Sequence, residues 1–207
     1  GLTAEGELVI SGVGEMENYT NTSSVPWRPY GSSITKVTIG AGVTSIDNLI
    51  FFDCINITSF AVAEGNSVFY SRNNCIIERD SQRLVFGCGN SVIPNGVKII
   101  GAEAFWRCKE LRSLTIPASV TSIEARAFRN CPGFVSLTVA EGNSVYYSEN
   151  NCVIDKASKK LVVGCGDVVI PEDVTSIGDS AFYECVTLAS IHIPASVTSI
   201  APGAFAR

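Results

Sequence analysis

Between Leu111 and Cys131 the chain reads LRSLTIPASVTSIEARAFRNC, and that spacing leaves few folds open. Apolar residues fall at Leu111, Leu114, Ile116, Val120, Ile123, Ala127 and Phe128, a pattern that neither a helical nor a simple strand period fits. It reads instead as one turn of a solenoid. A short strand ends at Ile116, Pro117 makes a corner, Val120 and Ile123 point inward, and a helical turn surrounds Ala127 and Phe128. A single such turn cannot bury its own apolar face, so copies must stack. The copies are present. The residue closing each strand recurs as Ile39, Val62, Ile93, Ile116, Val139, Ile170 and Ile193, at intervals of 23, 31, 23, 23, 31 and 23 residues. A larger unit of 77 residues also repeats, and within it residues 63–94 and 140–171 are identical at 21 of 32 positions.

The pattern L-x-x-L-x-I-P-x-x-V-x-x-I-x-x-x-A-F-x-x-C, nearly complete over residues 112–131, resembles the bacterial leucine-rich repeat of the BspA-like type. The likeness runs from about residue 34 to 205. The 31-residue units resemble that family's longer repeats, in which a β-hairpin takes the place of the helical turn. The resemblance implies a secreted or surface-displayed bacterial protein used in adhesion or interaction. The expected class is therefore α/β: a leucine-rich-repeat solenoid of short stacked strands, with short helical turns near 47–52, 102–106, 125–129 and 178–183 and two hairpin insertions. Residues 1–33 break the pattern and resemble the cap that precedes such arrays; residues 34–207 are the array, cut off at its C-terminal end. The chain starts at Gly1 without a leader, as expected of a piece trimmed from a longer protein. In the opening segment Trp27, with a proline on either side, and Tyr30 read as an aromatic plug over the core or as a platform for a sugar.

Composition narrows the function. An apolar fraction of 46% with 17% charged residues supports an ordered core. A net charge of −5 without a basic run argues against nucleic acid as a partner. No stretch approaches the ~20 apolar residues of a membrane span. Sequons at Asn18, Asn21 and Asn56 would matter only in a glycosylating host.

Eight cysteines fall into two sets. Cys54, Cys108, Cys131 and Cys185 share one repeat position and should act as small buried apolar groups. Cys75 and Cys88, and likewise Cys152 and Cys165, flank a hairpin whose arms would be 75–78 and 83–86, turning at 80–82. Pairing Ile77 with Phe86 would set Cys75 opposite Cys88 within disulfide reach. Two disulfides and four packed, reduced thiols are both open. Zinc is disfavoured: there is no C-x-x-C, and the single histidine stands alone.

In a leucine-rich repeat the x positions of each strand face the concave side. Carried across by the resemblance, these are Lys36 and Thr38, Ser59 and Ala61, Asn90 and Val92, Ser113 and Thr115, Ser136 and Thr138, Asp167 and Val169, and Ser190 and His192. This strip is small, polar and nearly neutral, without the aromatic or Arg anchors of a tight hot spot. His192, Asp167 and Ser190 could be drawn as a triad, but a flat sheet offers neither pocket nor oxyanion donors. No nucleotide, zinc-protease or hydrolase motif occurs, so neither enzyme activity nor a cofactor is expected. The resulting expectation is a monomeric, extracellular or cell-surface interaction module for a protein or glycan. The alternative is a spacer that holds another domain away from the cell wall.

Overall fold

The computed structural model describes all residues except Asn18, Thr20, Asn21, Val186, Thr187 and Arg207, so the first two sequons lie outside the described residues. Strands β1 (Glu7–Ile10), β2 (Lys36–Ile39) and β3 (Ser59–Val62) form a parallel sheet in the order β1-β2-β3. Leu8, Val37 and Phe60 stand in one register row and are buried, while their neighbours on each strand are more open. Alternation of this kind is what a strand with one buried face requires. Hence the opening segment adds a strand directly to the array.

Each 31-residue unit holds three antiparallel strands rather than one hairpin. In the first unit they are β4 (Phe69–Arg72), β5 (Cys75–Glu78) and β6 (Arg83–Phe86). β6 is then joined in parallel by β7 (Ile99–Ile100), and β7 by β9 (Ser122–Ile123), the short strands of the V-x-x-I segments. Between them in sequence lies β8 (Ser113–Ile116), which pairs in parallel with β10 (Ser136–Val139). The second unit repeats the arrangement with β11 (Tyr146–Glu149), β12 (Cys152–Asp155) and β13 (Lys160–Gly164), followed by β14 (Ser176–Ile177) and β15 (Ser199–Ile200).

The additional strand, which the spacing does not announce, is made by a tight turn. Asn73 and Asn74 both have positive φ, 51° and 60°, and Asn150 and Asn151 repeat this at 48° and 60°. Two central residues with positive φ match a type I′ turn, and asparagine tolerates that conformation better than most residues. The turn also interrupts the expected ladder. Val92 donates its N–H to the Asn73 carbonyl (3.2 Å), and residues 90–93, 167–170 and 190–193 form no strand. Of the seven expected strands β2, β3, β8 and β10 form, β2 and β3 beside β1 in a three-stranded sheet and β8 with β10 in a two-stranded one.

Among the described residues there is no α-helix, only 3₁₀ segments at Thr22–Ser24, Arg28–Ser33 and Asn48–Phe51. The expected helical turns after the first are runs of hydrogen-bonded turns. Glu103 and Arg107, Arg126 and Asn130, and Ser180 and Glu184 all adopt φ between 51° and 61°. A left-handed residue cannot continue a right-handed helix. The turns use their N–H groups between units instead: Phe105 donates to the Ala127 carbonyl (2.8 Å), Arg107 to Arg129 (3.0 Å) and Phe182 to Ala204 (2.8 Å). Gly87 and Gly164 sit against these turns, where an added Cβ would lie 2.2 Å from the Phe105 ring and 2.3 Å from that of Phe182.

Candidate functional site

The strip expected to face the concave side is only partly assembled. On β2, Lys36 pairs with Glu7 (3.1 Å) and the Thr38 hydroxyl donates to the same carboxylate (2.7 Å). Thr38 and Lys36 together hold the Glu7 carboxyl below its ordinary range. The strip's only lysine is therefore already neutralised. Ser59, half-buried, lies beside Lys36 in register on β3. Farther along, Ser113 and Thr115 pair with Ser136 and Thr138, and the hydroxyls of Thr115 and Thr138 meet at 3.0 Å. Asn90, Asp167, Ser190 and His192 are exposed but lie on the segments that form no strand. Among the described residues no hydrogen bond or ion pair joins His192, Asp167 and Ser190 to one another, and no group of three or more His, Cys, Asp or Glu could hold a metal. Val92 and Val169, 64% and 65% exposed, are the apolar points of the strip.

Trp27 packs on the first part of the core and donates its indole N–H to the Ile50 carbonyl (2.8 Å), whereas Tyr30 is exposed. They form no shared platform. Tyr70 and Tyr147 pack against core clusters, and their hydroxyls bond to Gln82 and Asp173.

No cysteine is joined in a disulfide. A bulge sets Ile76 opposite Phe86 and Ile77 opposite Leu84, in place of the expected pairing of Ile77 with Phe86. In the second unit Cys152 faces Gly164, one residue short of Cys165. Burial pushes the thiols of Cys54, Cys75, Cys152 and Cys165 up to about 12, where the reactive thiolate is scarce at neutral pH. Cys108 and Cys185 are only partly buried, unlike Cys54 and Cys131 in the same repeat position. A thiol reagent at pH 8 should therefore leave Cys54, Cys75, Cys152 and Cys165 inert in folded protein, and all eight thiols should react after unfolding without reductant. Mass spectrometry of the alkylated protein checks this; a Cys75–Cys88 or Cys152–Cys165 bridge would show that the hairpin register shifts on oxidation.

Aromatic and arginine side chains, absent from that strip, lie on the turns. Phe52, Trp106, Arg129 and Tyr183 each follow the A-F-type phenylalanine, or its counterpart Phe51, and form one continuous stack. The Phe52 and Trp106 ring centroids are 4.6 Å apart, and the Arg129 guanidinium lies 4.9 Å from Trp106 and 4.8 Å from Tyr183. Glu184 (2.8 Å) and Glu103 (3.5 Å) balance the Arg129 charge. Aligning the chain at 23 and 31 residues puts these four in one column, so the sequence carries a signal for them.

Parallel strands in repeating register, closed by stacked turns, define a leucine-rich repeat protein rich in strand and poor in helix. The chain belongs to the BspA type leucine rich repeat region family, whose model matches residues 29–80 and 86–207 in six copies. It is similar in structure to a leucine-rich repeat protein from Eubacterium ventriosum, with 26% identity and a TM-score of 0.66, over 99% of this chain and 60% of that one. A leucine rich cell surface protein from Faecalibacterium prausnitzii is also similar, with 27% identity and a TM-score of 0.54, over 84% of this chain and 49% of that one. The chain thus spans between half and three-fifths of those proteins. No curated protein matches it. No helix is long and apolar enough to cross a membrane among the described residues.

Proposed function

We propose that this chain is a monomeric, non-enzymatic interaction module displayed outside a bacterial cell, a solenoid that engages a protein or glycan along its concave strip. The observation supporting this reading is the exposed hydroxyl patch of Ser113, Thr115 and Thr138 on paired strands, with Ser136 beside it half-buried. The family is one of repeat proteins suited to protein interaction, and one structural neighbour is named as a cell surface protein. Small hydroxyls without aromatic or charged anchors make each contact weak, so useful retention must come from multivalency. A spacer role is the second reading, favoured by the mutual neutralisation of Lys36 and Glu7.

A screen of matrix proteins and glycans against the monomer and against bead-arrayed protein tests this. Weak monomer binding with retention on beads at least about 100-fold stronger is expected. Silence in both formats would leave the spacer, and tight monomer binding lost in a Tyr30→Ala variant would place the site on the opening segment.

A further inference from the structure

The two 77-residue halves differ in ring content at one place, and the second half carries a cavity nearby. In the first half, Phe86 packs between Phe51 (4.9 Å) and Phe60 (6.1 Å). The corresponding residues of the second half are Val163, Phe128 and Leu137, so two of the three rings are gone. Beside Val163 lies a cavity of about 170 Å³, between residues 123–126, β13 and residues 178–180. That is well above the ~10–15 Å³ a single water occupies on this measure.

The lining is divided by chemistry. Ile123, Val162 and Val163 supply an apolar floor. Arg126 and Lys160 reach the cavity, and among the described residues neither enters an ion pair. Arg126 only lies over the Tyr183 ring, 5.0 Å from its centroid. Lys160 acts on Asp155 through its charge alone. Glu124, on the same rim, is held by both guanidinium nitrogens of Arg83 and by the Ala102 N–H. Asp179, which accepts from the Ser180 hydroxyl (3.1 Å), is left as an acceptor at the mouth. The corresponding positions in the first half are Leu49, Arg83, Ala102 and Glu103, with Arg83 committed to Glu124.

We propose that this cavity binds an acidic sugar residue, its carboxylate taken by Arg126 and Lys160, its hydroxyls by Asp179 and Ser180, and its C–H face by Ile123 and Val162. Two cations outside any ion pair call for an anion in a protein that is negative overall. The Asp179 carboxylate favours a sugar source of that anion, because it accepts from hydroxyls that the side chains of an acidic peptide do not offer. The site shares no residue with the concave strip, so the two stand or fall separately.

Titration of the ¹⁵N-labelled protein with glucuronate, glucose and a tri-glutamate peptide tests it. Saturable shifts with glucuronate, centred on residues 123–126 and 160–163, are expected, with glucose at least about tenfold weaker and with weakening as salt rises. The R126A/K160A double variant should weaken glucuronate at least about tenfold. V163F, which enlarges a side chain of the cavity lining, should weaken binding while the concave strip's spectrum stays in place. If V163F fails to fold, the double variant decides alone, since both of its side chains are exposed. No saturable shift with glucuronate into tens of millimolar overturns the proposal. So does undiminished binding in the double variant, or tri-glutamate binding as well as glucuronate.

Discussion

Replacing Asn143 with alanine is expected to destabilise the protein by about 4 kcal/mol or more, as four backbone groups each lose a partner at ~1–3 kcal/mol apiece. Asn143 is 2% exposed. Its amide donates to the carbonyls of Pro117 and Val120 (both 2.9 Å), and its side-chain oxygen accepts from the N–H groups of Val145 (2.9 Å) and Tyr146 (2.8 Å). It thereby ties the corner of a 23-residue turn to the entry of β11, where the three-stranded insertion begins. Asn66 does the same in the first half, toward Gly40, Val43, Val68 and Phe69. Urea denaturation of Asn143→Ala beside exposed Ser144→Ala checks it, the latter staying within about 0.5 kcal/mol. Equal losses would mean that the four bonds are not what joins the units.

The second large effect is expected at Phe105, which is fully buried. Truncation to alanine should cost about 3–5 kcal/mol, the range for interior aromatics. Its ring stacks on Phe128 at 5.4 Å and fills the space that Gly87 leaves open. By spacing alone Phe128 is equally interior, yet in the fold it is only partly covered. Phe128→Ala should therefore lose clearly less than Phe105→Ala in the same denaturation series. A larger loss at Phe128 would contradict the burial of the two positions.

The stacking order is legible in the sequence because Ile39, Ile93, Ile116 and Ile170, with Val97, Val120 and Val174, turn inward, and no other period accommodates them. The position of β4 and β11 is not. Its signal is Asn73-Asn74 and Asn150-Asn151, and asparagine pairs specify positive φ more weakly than Asn-Gly does. The left-handed residues of the turns are hidden for a related reason. Glu103, Arg107, Arg126 and Glu184 have no preference for that conformation; Arg107 and Glu184 are held there by backbone hydrogen bonds to the next unit, and Glu103 and Arg126 by bonds within their own turns. Locally, A-F flanked by helix formers suggests a helix, whereas the neighbouring turn decides otherwise. The concave strip can be assigned residue by residue, but its continuity fails where the Asn73 carbonyl takes the Val92 N–H. Asn66 and Asn143 escape notice because an asparagine beside a glycine reads as an exposed turn.

The central functional proposal is that partners are held on the hydroxyl patch of β8 and β10. The most direct measurement compares bead-arrayed parent protein with an arrayed T115R/T138R variant, on whichever surface the parent is retained. Both threonines are exposed, so the fold should persist, which an unchanged unfolding midpoint would verify. Each weakened attachment should reduce affinity about tenfold, and retention of a multivalent display should therefore nearly vanish. Retention equal to the parent's, with the same unfolding midpoint, would contradict the proposal and remove the concave strip from the binding surface.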